Sequence, residues 1–288
     1  MFLKTIYRKI PYEYAFFFRN VYDEIVKAYL FLFHILKYGN AEIFNNINIE
    51  TTTLCNRRCG YCPNSVFDRS LKHNEKLMPE DLFIKILRDL KSIKFTGRIS
   101  PHFYGEPLLD RRLAGLMGLA HAILPKAKLE IYTNGDLLDI ALMENLYEAG
   151  VRNYVVALHG DKKENELNEE RIGCLRQEMK TAGKKVVIDL INLQNDSYLS
   201  NRGGLVCVKN VAKKAFCQYA SNALVINYAG DVLLCCNDYL GQVSFGNVAE
   251  ETLPEIWKKP GFKKIRKEIR KGIFRTEICR KCSAGAVR

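Results

Sequence analysis

Ten cysteines lie in this 288-residue chain, and seven of them form two groups whose spacing suits metal chemistry. The tighter group is Cys55-x3-Cys59-x2-Cys62. Three thiolates on one short loop can hold three irons of a four-iron cubane and leave the fourth iron open. A ligand carrying its own nitrogen and oxygen can then bind there. Iron–sulfur clusters want thiolate ligands, and protein charge and hydrogen bonding set their potential. The same three thiols could instead serve zinc with one further ligand. The second group is Cys217 and Cys235, with Gly230 between them, followed by Cys279-x2-Cys282. Four thiolates close a cluster completely, or they build a zinc ribbon, for which two cysteines two apart are a common half-site. Cys236 stands as an alternative to Cys235. Cys174 and Cys207 fit neither group and read as buried structural thiols.

The elements around these groups follow an alternating grammar. Ile47 and Ile49 alternate before three threonines, a strand that delivers the chain to Cys55. A helix follows near 79–91, with Pro79 at its first position. Strands are expected at 97–104, 128–133, 154–158 and 186–191, and helices at 111–123, 138–149 and 165–181, with Gly150 and Gly183 as stops. Such repetition argues for parallel strands joined by crossover helices. After about Gly204 the pattern changes. Segments 224–228 and 232–236 flank Ala229-Gly230-Asp231, a hairpin signal. A basic helix follows over 253–271, broken at Pro260-Gly261. The expected division is therefore an N-terminal helical extension over 1–45, an α/β domain over 46–205 and a small cysteine-bearing domain over 206–288.

The extension places Phe18, Tyr22, Ile25, Tyr29, Leu32 and Leu36 at helical spacing. Its longest charge-free piece, 28–36, is far short of the ~20 residues of a membrane-spanning helix. Two roles stand open: packing on the domain or on a second subunit, and lying on a membrane surface. No apolar run with a cleavage site opens the sequence, and clustered cysteines without an export signal point to a reducing cytoplasm. The net charge is +12, much of it between Lys258 and Lys271. That run reads either as a solvated helix face or as a surface for an anionic partner. The sequence carries no recognised nucleic-acid module, so nucleic acid is not an expected partner.

Two polar positions complete the site reading. Arg202 lies in Ser200-Asn201-Arg202-Gly203-Gly204, a glycine-flanked loop after the last strand of the α/β region. It is a candidate catalytic residue that stabilises developing oxyanion charge, because Arg stays protonated; the competing reading is a tight turn with a solvated Arg. His159 follows a strand and reads either as facing substrate or as a core histidine.

The segment Cys55-Asn56-Arg57-Arg58-Cys59-Gly60-Tyr61-Cys62 resembles the signature of the radical S-adenosylmethionine (AdoMet) superfamily, Tyr61 included. Tyr104-Gly105-Glu106 resembles its motif for the AdoMet amino group. Tyr132-Thr133-Asn134-Gly135 resembles the segment reaching its ribose and carboxylate. The resemblance implies a partial (β/α)6 barrel with the ligand site at the C-terminal strand ends, as in other barrels. It assigns AdoMet contacts to Tyr61, Tyr104, Gly105, Glu106, Thr133 and Asn134. The cysteine pattern around Gly230 is similar to SPASM/twitch domains, which implies a second, auxiliary four-iron–four-sulfur cluster on Cys217, Cys235, Cys279 and Cys282.

Runs spanning 47–283 further resemble the superfamily's aminocyclitol dehydrogenases, which oxidise a secondary alcohol to a ketone. Where those have an aromatic and then an acidic residue after the second cluster cysteine, this chain has Cys236 and Asn237. The implied chemistry is reductive cleavage of AdoMet to a 5′-deoxyadenosyl radical and hydrogen abstraction from a carbinol carbon. The hydroxyl proton is then lost, and a second electron passes to the auxiliary cluster. The implied partners are an aminocyclitol or sugar substrate and an electron donor such as flavodoxin or ferredoxin. A peptide-modifying enzyme making epimers or thioether crosslinks is the alternative within the superfamily.

Overall fold

The structure is a computed structural model, and it describes residues 44–193, 199–208 and 214–284, together with Leu32 and Leu36. The chain divides into two units, Met1–Ile43 and Phe44–Arg288. The expected aromatic helix lies outside the described residues, apart from Leu32 and Leu36, which are helical and exposed. Among the described residues no helix is long and apolar enough to cross a membrane.

The second unit is built on one eight-stranded sheet. Its strands are β1 (Asn46–Ile49), β2 (Arg98–Ser100), β3 (Lys128–Thr133), β4 (Asn153–Leu158), β5 (Val187–Asn192), β6 (Ala223–Ile226), β7 (Asp231–Leu233) and β8 (Ser244–Asn247). Their order is β5-β4-β3-β2-β1-β6-β7-β8. The pairs from β5 through β6 are all parallel, while β6–β7 and β7–β8 are antiparallel. Five of the six parallel strands, β1 to β5, come from the segment expected to form the α/β partial barrel, and β6, from the segment after 205, adds a sixth beside β1. They read as unbroken apolar runs, such as the buried Tyr154–Leu158, because helices cover parallel sheets.

The covering helices are α1 (Glu80–Ser92), α2 (Leu113–Ile123), α3 (Ile140–Glu148) and α4 (Lys162–Thr181). Their ends follow local chemistry. The side chains of Asp139 and Asp161 cap α3 and α4 by accepting from Leu142 N and Glu164 N at 2.7 and 2.9 Å. Gly150 and Gly183 end the same two helices with φ of +93° and +72°, where a Cβ would be strained. Pro79 is the N-cap of α1, not its first helical residue: its ψ of 140° is extended.

Two differences from the sequence reading have physical causes. The strand expected over 97–104 pairs only over Arg98–Ser100, after which the chain leaves the sheet to form the site loop. Cys174 and Cys207 are exposed, not buried. On α4 the inward positions are Asn165, Ile172, Leu175 and Met179, which leaves Cys174 on the solvent side. The basic segment breaks at Pro260 as expected, giving two helices, α6 (Leu253–Lys258) and α7 (Pro260–Arg270); a short α5 (Tyr219–Asn222) precedes β6. The last cysteine pair rides on a further helix, α8 (Glu277–Ser283), capped by Thr276.

Candidate active site: two cysteine-lined cavities

The loop carrying Cys55, Cys59 and Cys62 follows β1 and is pinned from several sides. Cys55 N donates to Ser70 O at 3.2 Å, and Cys62 N donates to Cys59 O at 2.8 Å. Arg57, between the first two cysteines, forms a fork to Asp136 through Nε and Nη2, both at 2.6 Å, and reaches Glu164 at 2.8 Å. Bidentate charged bonds of this kind fix orientation as well as energy. Asn56 adds a bond to Asp136 at 2.8 Å and accepts from Asn134 Nδ2 at 2.8 Å. Asp136 thus ties the cysteine loop to the loop after β3. Its carboxyl is held below the usual range by Arg57, although burial opposes this.

Glu106 is buried. It accepts from Leu108 N, Thr133 Oγ1 and Asn134 N at 3.1, 2.7 and 2.8 Å. The motif residues Glu106, Thr133 and Asn134 are therefore one hydrogen-bonded unit between the ends of β2 and β3. Burial pushes the Glu106 carboxyl upward while its donors pull against that. Gly105 is required by backbone approach: a Cβ there would lie 2.1 Å from Thr52 O.

His159 sits at the end of β4 with its ring stacked on Tyr61 at 6.0 Å, and its Nδ1 lies against Tyr61 Oη and 3.5 Å from Cys59 Sγ. Burial and the Arg57 charge push its pKa down to about 4, so the ring is neutral. His102 stacks on Tyr132 at 4.8 Å and meets Ser100 Oγ at 2.8 Å. These groups line one cavity of about 310 Å³ together with all three cysteines, Tyr104, Glu106, Asn134, Arg202, Tyr219 and Cys236.

A second cavity of about 310 Å³ is lined by Cys217, Cys235, Cys236, Cys279 and Cys282. Its thiols come from three separate segments: the stretch before α5, the turn after β7, and α8. Cys217 N donates to Ile269 O at the end of α7, at 2.9 Å. Asn201 Nδ2 donates to Lys281 O at 2.9 Å, which ties the 200–204 loop to α8. Gly203 has φ +70°, and a Cβ there would lie 2.6 Å from Ile278 Cγ1. The glycines of that loop admit α8, not a ligand.

Arg202 itself holds a left-handed backbone with φ +50°. Such a conformation costs ~1 kcal/mol or more in a non-glycine residue. Its guanidinium lies 5.9 Å from the Tyr104 ring, and Arg202 lines both cavities, as do Tyr219 and Cys236. The Arg202 Nε and Tyr104 Oη are buried without hydrogen-bond partners. Each such orphan costs roughly 1–3 kcal/mol unless a ligand satisfies it.

A second polar junction joins the two cysteine regions. The carboxylate of fully buried Glu50 pairs with Arg69, and burial pushes its pKa up to about 7. Arg69 Nη1 donates to Tyr239 O at 2.7 Å and lies over the rings of Phe103, Tyr228 and Tyr239. Tyr239 Oη donates to Asn64 Oδ1 at 3.0 Å, and Asn64 Nδ2 donates to Tyr104 O at 2.9 Å. Sequence reasoning missed Glu50, Arg69, Asp136 and Tyr219. Arg57 between two cysteines and Asp136 just after Thr133-Asn134-Gly135 were the available signal for one pair; the others are joined only by folding.

The donor sets fit iron–sulfur clusters. Among the described residues no three His, Cys, Asp or Glu side chains converge on a single ion position. Each thiol set surrounds a volume instead. Burial pushes Cys55 up to about 12 and raises Cys59, Cys62, Cys217, Cys235 and Cys279 as well. A thiolate at these positions therefore needs cationic metal beside it.

This architecture is that of the radical SAM superfamily, to which the chain belongs: its family model matches residues 49–212, and that of the SPASM iron–sulfur cluster-binding domain matches 217–283. AdoMet and a four-iron–four-sulfur cluster are the cofactors of that chemistry, and the SPASM domain binds auxiliary clusters. The chain is 34% identical over 245 residues to the S-adenosyl-L-methionine-dependent 2-deoxy-scyllo-inosamine dehydrogenase of Niallia circulans, covering 84% of this chain and 94% of that protein. The crystal structure of BtrN in complex with AdoMet and 2-DOIA superposes with a TM-score of 0.71 at 31% identity, covering 84% of this chain and 93% of that one. GTP 3′,8-cyclase of Helicobacter pylori is 30% identical over 157 residues, 51% of this chain and 45% of that protein.

Proposed function

We propose that this protein is a radical AdoMet dehydrogenase that oxidises a secondary alcohol of an aminocyclitol or sugar to a ketone. The reading rests on the likeness to the inosamine dehydrogenase over most of both chains. The observation that carries it is the pair of unpartnered buried atoms, Arg202 Nε and Tyr104 Oη, on a cavity that also holds the three loop cysteines. They are donors waiting for an oxygen-bearing ligand.

When bound, the first cluster and AdoMet supply a carbon radical able to take hydrogen from a substrate carbon. The residues divide the remaining work. Cys55, Cys59 and Cys62 hold the first cluster. Glu106 accepts a charge-assisted bond from the AdoMet ammonium, with Thr133 and Asn134 fixing its carboxylate, and Tyr61, Tyr104 and Gly105 shape the rest of that pocket. Arg202 stabilises the alkoxide as the hydroxyl proton leaves. Cys217, Cys235, Cys279 and Cys282 hold the second cluster across the wall formed by Arg202, Tyr219 and Cys236. The division near residue 205 separates the parts that hold each cluster. An acidic one-electron carrier such as flavodoxin or ferredoxin serves as donor, and ten cysteines outside disulfides suit a reducing cytoplasm.

The test is anaerobic turnover against a panel of aminocyclitols and sugars, free and nucleotide-linked. A two-dalton mass loss is expected, with deuterium from the oxidised carbon recovered in 5′-deoxyadenosine. A product of unchanged mass, or inverted at one carbon, sinks the dehydrogenase reading.

A further inference from the structure

The two cavities differ in what touches their sulfurs. At the first, the side chains of His159, 3.5 Å away, and Tyr61 approach one sulfur, that of Cys59. At the second, Cys282 Sγ receives two donors. Asn237 Nδ2 lies 3.1 Å away and Lys214 Nζ 3.5 Å away.

Neither contact is incidental. Asn237 is only 7% exposed. Its carbonyl oxygen accepts from Ser200 Oγ at 3.0 Å, and this bond sets the amide so that its NH2 end faces the sulfur. The next residue, Asp238, anchors the turn by accepting from Gln242 N and Val243 N at 2.8 and 2.9 Å. Lys214 lines the same cavity. Its ammonium brings a compact point charge to the Cys282 sulfur.

Hydrogen bonds and positive charge at a cluster thiolate draw electron density from the sulfur. They favour the more negative, reduced cluster and so raise its potential. We propose that Asn237 and Lys214 are positioning residues that tune the second cluster through Cys282, poising it to accept an electron. The inference rests on the dehydrogenase reading for the purpose of that electron. The balance is closed. Alcohol to ketone releases two electrons and two protons: one electron and one proton leave as the abstracted hydrogen atom, the other proton leaves from the hydroxyl, and the second electron reduces the cluster. A one-electron carrier protein then removes it.

The experiment is an anaerobic redox titration of the reconstituted full-length protein, followed by electron paramagnetic resonance. The Cys55→Ala/Cys59→Ala/Cys62→Ala background isolates the second cluster. Asn237→Asp should move its midpoint to lower potential by at least tenfold in the one-electron equilibrium, ~60 mV. Asn237→Leu and Lys214→Gln should each shift it the same way by less, with iron content unchanged, and Asn237→Gln should recover part of the loss. Unchanged midpoints in both Asn237→Leu and Lys214→Gln overturn the proposal, as does a site that loads zinc and no cluster. Should the Asn237 variants lose iron, Lys214→Gln and Ser200→Ala decide alone. The titration contains no substrate, so a wild-type protein that makes no ketone but shows these shifts defeats the dehydrogenase reading and leaves the tuning intact.

Discussion

The two cysteine regions solve one problem in opposite ways. The first gathers its thiols from eight consecutive residues, Cys55 to Cys62, and spends its polar side chains holding that loop still. Arg57, Asp136, Asn56 and Asn134 clamp it from outside, and His159 and Tyr61 approach one of its sulfurs, that of Cys59. The second gathers its thiols from three segments as far apart as Cys217 and Cys282, and its polar side chains reach the sulfurs themselves. A local loop needs fixing in place. A dispersed set is fixed by the fold already, and its neighbours are free to adjust chemistry.

Removing the loop thiols is the severest test of this contrast. Cys55, Cys59 and Cys62 replaced by Ala should lower iron from about eight to about four per chain and abolish AdoMet cleavage, read by iron assay and by 5′-deoxyadenosine. Replacing Cys279 and Cys282 by Ala should also halve the iron, yet leave AdoMet cleavage in place and remove ketone formation. Zinc in the second site after anaerobic purification would collapse the comparison.

Arg202 sits where the regions meet. Arg202→Ala should still cleave AdoMet but lose ~10²–10³ in ketone formation, the magnitude of a lost oxyanion donor. Arg202→Lys should recover part of it, because a point charge replaces a fork. Arg202→Gly should show the same catalytic loss together with a higher melting temperature, since its φ of +50° suits glycine. Wild-type turnover in Arg202→Ala would make the loop purely structural.

Glu106→Gln should be milder. An amide NH2 would face the Thr133 hydroxyl or the Asn134 N–H, and AdoMet affinity should fall about tenfold with both clusters retained. Equal affinity, by equilibrium binding, would remove Glu106 from the AdoMet site.

The smallest effect concerns acid. Burial, with the Arg98 charge adding to it, lowers the His102 pKa from its usual value of 6.5 to about 4. Between those values the unfolded chain binds a proton that the folded one refuses. Stability from this group is therefore complete above pH ~6.5 and drains away as pH falls through ~4. His102→Phe should flatten that part of the stability–pH curve measured by denaturant unfolding, and an unchanged slope would deny the burial.

Much of the fold was readable because its signals are local. Parallel strands announce themselves as apolar runs, and aspartates and glycines mark the ends of α3 and α4. The loop cysteines were equally plain, their spacing being within one turn of chain. The second site was legible as a set of clustered thiols but not as a place. Nothing in the sequence says that Asn237 bonds Cys282 across 45 positions or that Gly203 faces α8. The same holds for Glu50, whose partner Arg69 and roof Tyr239 come from different segments. Cys174 misled because a thiol's apolar character predicts burial, while its place on the helix wheel decided otherwise.

The hairpin of the second region does not hang beside the barrel; β6 lies parallel along β1, residue for residue from Asn46 to Ile49. A central strand of the sheet therefore has one of its two rows of peptide groups covered only by chain that folds some 175 residues later. A nascent or truncated protein lacking that hairpin would present β1 as a bare, apolar edge, the kind of surface on which strands of other molecules assemble. The cluster-bearing appendage thus doubles as the guard of the barrel's open seam, and losing it would cost solubility before it cost electrons.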